Sequence, residues 1–261
     1  MENLFDLTGK VACVAGGGGY LGSPVCEGLA RHGARVIVAD ARPEAAQQAV
    51  RRLSDLGLAA EALTLNVTDE PAVVAAVDGI AARHGRLDVM VNATTWSTGK
   101  PLEEMTQADF EAGTRVTLGG AFVLSREAGR VMVAQGRGSI IQFGSMYGLV
   151  SPDPRIYEGK FAVNPIDYGA AKAGVLQMVR YQAVMWARHG VRVNAVIPGP
   201  FPNPAGMGAA DWFIARLSDR VPMGRAGRAE EIAGAVVFLA SDAASYVTGT
   251  SILVDGGWTA W

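Results

Sequence analysis

Apolar residues fall along the chain in seven short runs, at 11–15, 35–40, 60–66, 87–93, 139–144, 191–197 and 251–255, separated by longer stretches with helical spacing. Within Arg35-Val-Ile-Val-Ala39 and Asp88-Val-Met-Val91 the apolar positions are consecutive rather than alternating, the pattern of strands covered by helices on both faces. Strand and helix taking turns in this way predict an α/β protein. The expected architecture is a doubly wound Rossmann-type fold, with a seven-stranded parallel sheet flanked by helices on both faces. No linker or low-complexity stretch divides the chain, so residues 1–261 are expected to form a single domain.

The tripeptide Arg-His-Gly occurs three times, at 31–33, 83–85 and 188–190, each time between a helical pattern and a β-branched run. These read as helix exits: the glycine takes the left-handed cap, and Arg and His face the negative end of the helix dipole. All three histidines of the chain are used in this way, which leaves none for a triad or a metal centre. Two helical segments, 110–132 and 165–186, are apolar nearly all round, the second through Val175, Leu176, Met178, Val179, Tyr181, Val184 and Met185. One sheet face cannot cover such helices. The remaining stripe is expected to meet another subunit, with a long core helix as the alternative.

Composition removes several function classes. With 49% apolar and 18% charged residues the chain has material for a large core, and 33 glycines without a collagen period point to turns rather than fibres. A net charge of −2 with no block of either sign leaves no footprint for nucleic acid or an anionic membrane. The longest apolar stretch, 232–240, is well short of the roughly 18 residues that span a bilayer. Glu2, Asp6 and Lys10 stand where a secretory signal would be basic and then apolar, so a cytoplasmic protein is expected. Cys13 and Cys26 lack metal or redox spacing and are expected to be buried free thiols; no metal site is expected.

The first run leads directly into Ala15-Gly16-Gly17-Gly18-Gly19-Tyr20-Leu21-Gly22, followed by a helix from about Ser23-Pro24. Glycines at a strand-to-helix turn let the backbone approach a pyrophosphate, which then faces the unpaired N–H groups of the helix start. Asp40 closes the second strand, where a carboxylate accepts hydrogen bonds from the adenosine ribose and repels a 2′-phosphate. NAD is therefore expected over NADP, with Arg42 tempering the preference. A P-loop is excluded, because Gly22 is followed by Ser23-Pro24 instead of Lys and Ser or Thr.

Tyr168 and Lys172 stand at i, i+4 in Tyr168-Gly-Ala-Ala-Lys172, on one face of the helix begun by Pro165. Using a phenol as a base near neutrality takes about 4 kcal/mol of differential stabilisation of the phenolate, and an adjacent ammonium has the right sign. The pair alone also fits an ordinary surface helix. Together with the glycine turn, Asp40, Val91-Asn92-Ala93-Thr94, Ser145, Pro198-Gly199 and Val254-Asp255-Gly256-Gly257, all in family order, the chain resembles the short-chain dehydrogenase/reductase family over essentially its whole length. The resemblance implies a dinucleotide-binding and catalytic domain that interconverts a secondary alcohol and a ketone by hydride transfer. It assigns Tyr168 as acid/base, Ser145 to the substrate oxygen, and Lys172 to the nicotinamide ribose and to lowering the Tyr168 pKa. Gly16, Gly19, Tyr20, Leu21, Gly22, Asp40, Asn66, Val67, Asn92, Ala93, Pro198 and Gly199 are the implied cofactor contacts, and a homotetramer is the implied assembly.

The chain departs from the family pattern in four places. Tyr20 stands at the usual middle glycine, and Thr94 projects a side chain where the family has none. Thr117 aligns with the asparagine that completes the proton relay and is entered as a candidate catalytic residue, its hydroxyl or the backbone serving in that place. Ser145 and Tyr168 are 23 residues apart against about 13 in the family, an insertion at 151–165 expected to lie over the substrate site. The segment 200–221 resembles the family's substrate lid. Candidate substrate contacts are Trp96, Ser145, Arg155, Tyr157, Lys160, Phe201 and Asn203, whose polar and cationic members suggest a sugar, sugar acid or polyol. A hydrophobic cyclic or aryl alcohol, and a catalytically idle NAD-binding regulator, are the alternatives. A serine hydrolase is disfavoured, since Gly144-Ser145-Met146-Tyr147-Gly148 is no nucleophile elbow and the histidines are occupied at helix ends.

Overall fold

The computed structural model describes residues 3–157, 162–203 and 211–261. Seven strands, β1 (Val11–Ala15), β2 (Arg35–Asp40), β3 (Ala60–Thr64), β4 (Val89–Asn92), β5 (Gly138–Phe143), β6 (Val191–Pro198) and β7 (Ser251–Val254), form one sheet in the order 3-2-1-4-5-6-7. Every pairing is parallel. The order reverses between β1 and β4, and a crevice opens there beyond the strand ends, where open α/β sheets bind ligands.

The helices are α1 (Gly22–Arg31), α2 (Pro43–Asp55), α3 (Glu70–His84), α4 (Gln107–Thr114), α5 (Gly120–Gln135), α6 (Ile166–Trp186), α7 (Asp211–Arg220) and α8 (Ala233–Ala240). Two core layers explain the consecutive apolar strands. Ala12 and Val14 of β1 face one layer with Val25 and Leu29 of α1, Ala49 of α2 and Val236 of α8. Val11, Cys13 and Ala15 face the other, with Val77 of α3, Leu124 of α5 and Val179 of α6. Cys13 and Cys26 are buried and unpaired. The three Arg-His-Gly tripeptides are helix exits, with Gly33, Gly85 and Gly190 at positive φ of 98°, 70° and 73°.

Two element boundaries differ from the sequence pattern. The run at 60–66 leaves the sheet after Thr64, so that Leu65 and Asn66 turn toward the crevice. The helical segment from 110 is interrupted: α4 and α5 are separated by a π-helical turn, Arg115–Gly119, that carries Thr117. Such a turn holds its bonds one residue wider than an α-helix and is commonly found at functional sites. Neither feature alters the apolar periodicity that predicts these elements. Tyr181, Val184 and Met185 project from α6 at 65%, 78% and 53% exposure, an apolar stripe that this chain leaves uncovered. Among the described residues no helix is long and apolar enough to cross a membrane.

Candidate active site

A cleft of about 860 Å³ opens at the carboxyl ends of β1, β4, β5 and β6. At one end lies the glycine turn. The Gly16 and Gly17 N–H groups donate to Ala39 O at 2.8 and 3.0 Å, and Gly19 N–H donates to Gly16 O at 3.0 Å, folding the loop back on itself. A Cβ at Gly22 would lie 2.0 Å from Gly16 O, and Gly16 itself has φ of +78°. Side chains are therefore excluded from the floor of the loop, while Tyr20 and Leu21 reach the cleft wall.

Asp40 is buried at the end of β2. Its carboxylate accepts from Gly18 N–H at 3.2 Å and Arg42 N–H at 3.0 Å, and the Arg42 guanidinium lies 3.6 Å away. The acidic group is thus in place, with a cation beside it that moderates repulsion of a 2′-phosphate. Asn66, Val67, Ala93, Pro198 and Gly199 line the same cleft. Asn92 does not. It is 3% exposed, donating from Nδ2 to Gln142 Oε1 at 2.9 Å and accepting at Oδ1 from Thr94 N–H and Thr94 Oγ1 at 3.1 and 2.6 Å. The residue shapes the turn that presents Ala93, and it draws the Thr94 hydroxyl back on itself.

At the other end Ser145, Tyr168 and Lys172 share the cleft wall. Ser145 follows β5 in extended backbone (φ −161°) and accepts at Oγ from Tyr147 N–H at 3.1 Å, capping the short turn Met146–Gly148. Tyr168 and Lys172 occupy the first two turns of α6. Lys172 Nζ donates to Phe143 O at 2.7 Å and lies 5.8 Å from the centre of the Tyr168 ring. Burial pulls the Lys172 ammonium down to about 7. Burial also pushes the Tyr168 phenol up, opposed by a hydrogen bond with Ser145. At both groups desolvation is the largest influence.

Thr117 is 1% exposed, and its hydroxyl is committed to the 94–98 loop: Oγ1 accepts from Trp96 N–H at 3.0 Å, donates to Trp96 O at 2.8 Å and lies 3.3 Å from Thr95 Oγ1. The hydroxyl thereby pins the 94–98 loop. Asp167, fully buried and absent from the residues singled out by sequence, pins the same loop by accepting from Thr98 N–H at 3.1 Å. A Cβ on its neighbour Gly113 would lie 2.0 Å from the carboxylate, so a side chain there would displace Asp167. The loop presents Trp96, 48% exposed, to the cleft, and Phe201 lines the cleft as well.

The remaining substrate candidates divide. The Tyr157 hydroxyl meets that of Tyr147 at 2.6 Å, within an aromatic cluster against which Tyr168 packs. The Arg155 guanidinium turns instead onto Asp153, at 2.8 Å, and is absent from the cleft wall. A carboxylate two residues away satisfies the fork locally. Asn203 stands outside the residues lining the cleft. Lys160, with parts of the insertion and of the lid, lies outside the described residues.

A family profile described as enoyl-(acyl carrier protein) reductase matches residues 20–259. The chain is 39% identical over 252 residues to cis-4-hydroxycyclohexanecarboxylate dehydrogenase of Sinomonas cyclohexanicum, covering 96% of this chain and 97% of that one. It is 37% identical over 263 residues to galactitol 2-dehydrogenase (L-tagatose-forming) of Cereibacter sphaeroides, covering 100% and 99%. Among solved structures it is similar to a gluconate 5-dehydrogenase from Burkholderia cenocepacia J2315 in complex with NADP and tartrate, with a TM-score of 0.89, 32% identity and coverage of 99% and 98%.

Proposed function

The chain belongs to the short-chain dehydrogenase/reductase family and is an NAD(P)-dependent oxidoreductase acting on CH–OH groups; we propose that it prefers NAD and interconverts a secondary alcohol and a ketone of a polyol or sugar. The observation that carries this reading is the convergence on one cleft of the glycine turn and Asp40 at one end and Ser145, Tyr168 and Lys172 at the other.

The residues present fit a dinucleotide. The turn excludes a Cβ at Gly22, leaving a smooth floor that ends at the start of α1, and the N–H groups there are suited to a pyrophosphate. Asp40 suits ribose hydroxyls, and Pro198 and Gly199 close the far side. A dinucleotide held there would supply hydride exchange with the carbinol carbon. Tyr168 holds the proton at its phenolic oxygen: it accepts the substrate hydroxyl proton in oxidation and returns it in reduction. Ser145 orients the substrate oxygen toward that phenol through its hydroxyl. Lys172 supplies positive charge behind the phenol whenever it is protonated, and its bond to Phe143 O fixes its position. Thr117 acts at one remove, through Trp96.

The polyol and sugar reading is supported by the names of the galactitol and gluconate dehydrogenases to which the chain is similar. Arg155 gives no support to an anionic substrate, because Asp153 occupies it. A second reading, a cyclic hydroxy acid or other hydrophobic cyclic alcohol, is favoured by Trp96 and Phe201 at the cleft and by the Sinomonas relative's name. A homotetramer in the cytoplasm completes the proposal, with the α6 stripe as its supporting surface. A panel of polyols, sugars, cyclic hydroxy acids and aryl alcohols, followed by absorbance of the reduced cofactor with NAD and NADP separately, tests the reading. Fastest turnover of a polyol or sugar with NAD is expected. Dinucleotide binding without turnover of any member would favour a regulator and overturn the enzymatic assignment.

A further inference from the structure

The loop after β4 runs along the cleft from one end toward the other. Its start lies against the glycine turn, where a Cβ on Gly16 would meet the Ala93 carbonyl carbon at 3.0 Å. Its far end lies against the catalytic helix, where Asp167, the residue before Tyr168, accepts from Thr98 N–H at 3.1 Å. Trp96 is two residues from that second anchor, a span of at most about 7 Å. It is thus set toward the catalytic end, and it lines the cleft together with Ser145, Tyr168 and Lys172.

Every second residue of this loop is tied to a polar side chain. Asn92 Oδ1 accepts from Thr94 N–H and Thr94 Oγ1, Thr117 Oγ1 accepts from Trp96 N–H and donates to Trp96 O, and Asp167 accepts from Thr98 N–H. Asn92, Thr117 and Asp167 are all buried, and hydrogen bonds of buried groups are costly to break, so the backbone that carries Trp96 is held in one place. The side chain is treated in the opposite way. The indole is half exposed and belongs to none of the three hydrophobic clusters among the described residues, although few side chains have more apolar surface to bury. A lone exposed apolar residue is ordinary on an open surface. Inside a cleft, beside the reacting groups, an uncovered aromatic face on a fixed backbone is a surface for the ligand to cover.

A flat and fixed face suits a ring. The C–H groups on one side of a saturated ring meet it together, and ring closure has already removed the torsional freedom that an open chain loses on lying flat. We propose that Trp96 is a specificity-determining residue whose indole is a platform for one face of a ring, so that ring-closed secondary alcohols are selected over open-chain alcohols with the same carbons and hydroxyls. This rests on the dehydrogenase reading and names the shape of substrate that the cleft takes, whether a sugar, a cyclic polyol or a cyclic hydroxy acid.

The test compares kcat/KM for cis-cyclohexane-1,2-diol and meso-hexane-3,4-diol, which share six carbons and two adjacent hydroxyls and differ in ring closure. The proteins are the wild type, Trp96→Phe, which keeps an aromatic face, and Trp96→Ala, which removes it; thermal unfolding and dinucleotide affinity are recorded for each. The wild type is expected to prefer the ring by about five- to tenfold, Trp96→Phe to keep most of that preference, and Trp96→Ala to retain less than about twofold with dinucleotide affinity unchanged. Absence of a ring preference in the wild type overturns the proposal, and that result does not depend on how the variants fold. An undiminished ratio in Trp96→Ala, an equal loss on both diols, or a loss of dinucleotide affinity that accounts for the change also overturns it. Should neither diol be turned over, inositol and the open-chain hexitols replace them, and turnover of a hexitol without inositol overturns the platform alone. Turnover of no member of the broader panel would instead bring down the dehydrogenase reading, and this inference with it.

Discussion

Lys172 and Tyr168 show how burial sets chemistry at single residues. A lysine that titrates at about 7 when folded and near 10.5 when unfolded binds fewer protons in the folded chain across that interval. Stability then rises with pH between the two values, and the cost of burying the ammonium is fully present below about 7. Without dinucleotide, the wild type is therefore expected to gain stability relative to Lys172→Met between pH 7 and 10 in parallel urea titrations; parallel curves at all pH values would contradict the assignment. Gly22 makes a steric prediction. Gly22→Ala drives a methyl group into Gly16 O, which is backbone and cannot rotate away. A loss of about 1–3 kcal/mol in unfolding free energy is expected, with weaker dinucleotide binding by calorimetry. Glycine spacing, Asp40 and the i, i+4 phenol and ammonium are all legible in sequence, because each depends on local geometry. Asn92, Arg155 and Thr117 are not. Their side chains are claimed by Gln142 and Thr94, by Asp153 and by Trp96, and residue identity does not announce a partner.

At the level of elements, the seven strands and the helix exits follow from apolar periodicity and the Arg-His-Gly seams. The π-helical turn between α4 and α5 does not, since one residue of added width leaves the apolar stripe intact. That turn and the start of α6 grip the 94–98 loop together, through Thr117 and Asp167. Thr117→Val keeps the shape and removes both bonds to Trp96. The expected result is a several-fold rise in KM for the alcohol, with dinucleotide affinity unchanged in a fluorescence titration. An unchanged KM would show that the loop is held by other contacts. The single carboxylate of Asp167 had a sequence signal, since it precedes Tyr168 in the first turn of α6, but nothing in the pattern distinguishes it from a solvent-facing acid.

For the whole molecule, alternation of strands and helices was enough to indicate a doubly wound sheet, and the strand order places its reversal beside the glycine turn. The uncovered stripe on α6 was visible as an all-round apolar helix, with a core helix as the lesser alternative. Val184, 78% exposed in the single chain, makes the choice testable. Val184→Asp costs an isolated chain little, and in a tetramer it buries a charge at the contact. Sedimentation is expected to show a tetramer for the wild type and smaller species for the variant; identical sedimentation would remove α6 from the interface. The central claim is that a phenol at the cleft wall moves the proton of the reaction. Tyr168→Phe, assayed for cofactor reduction with the fastest substrate of the panel and for dinucleotide affinity in parallel, tests it most directly. Turnover is expected to fall by about 10²–10⁴-fold while affinity changes less than about threefold; a variant that turns over at the wild-type rate would contradict the account.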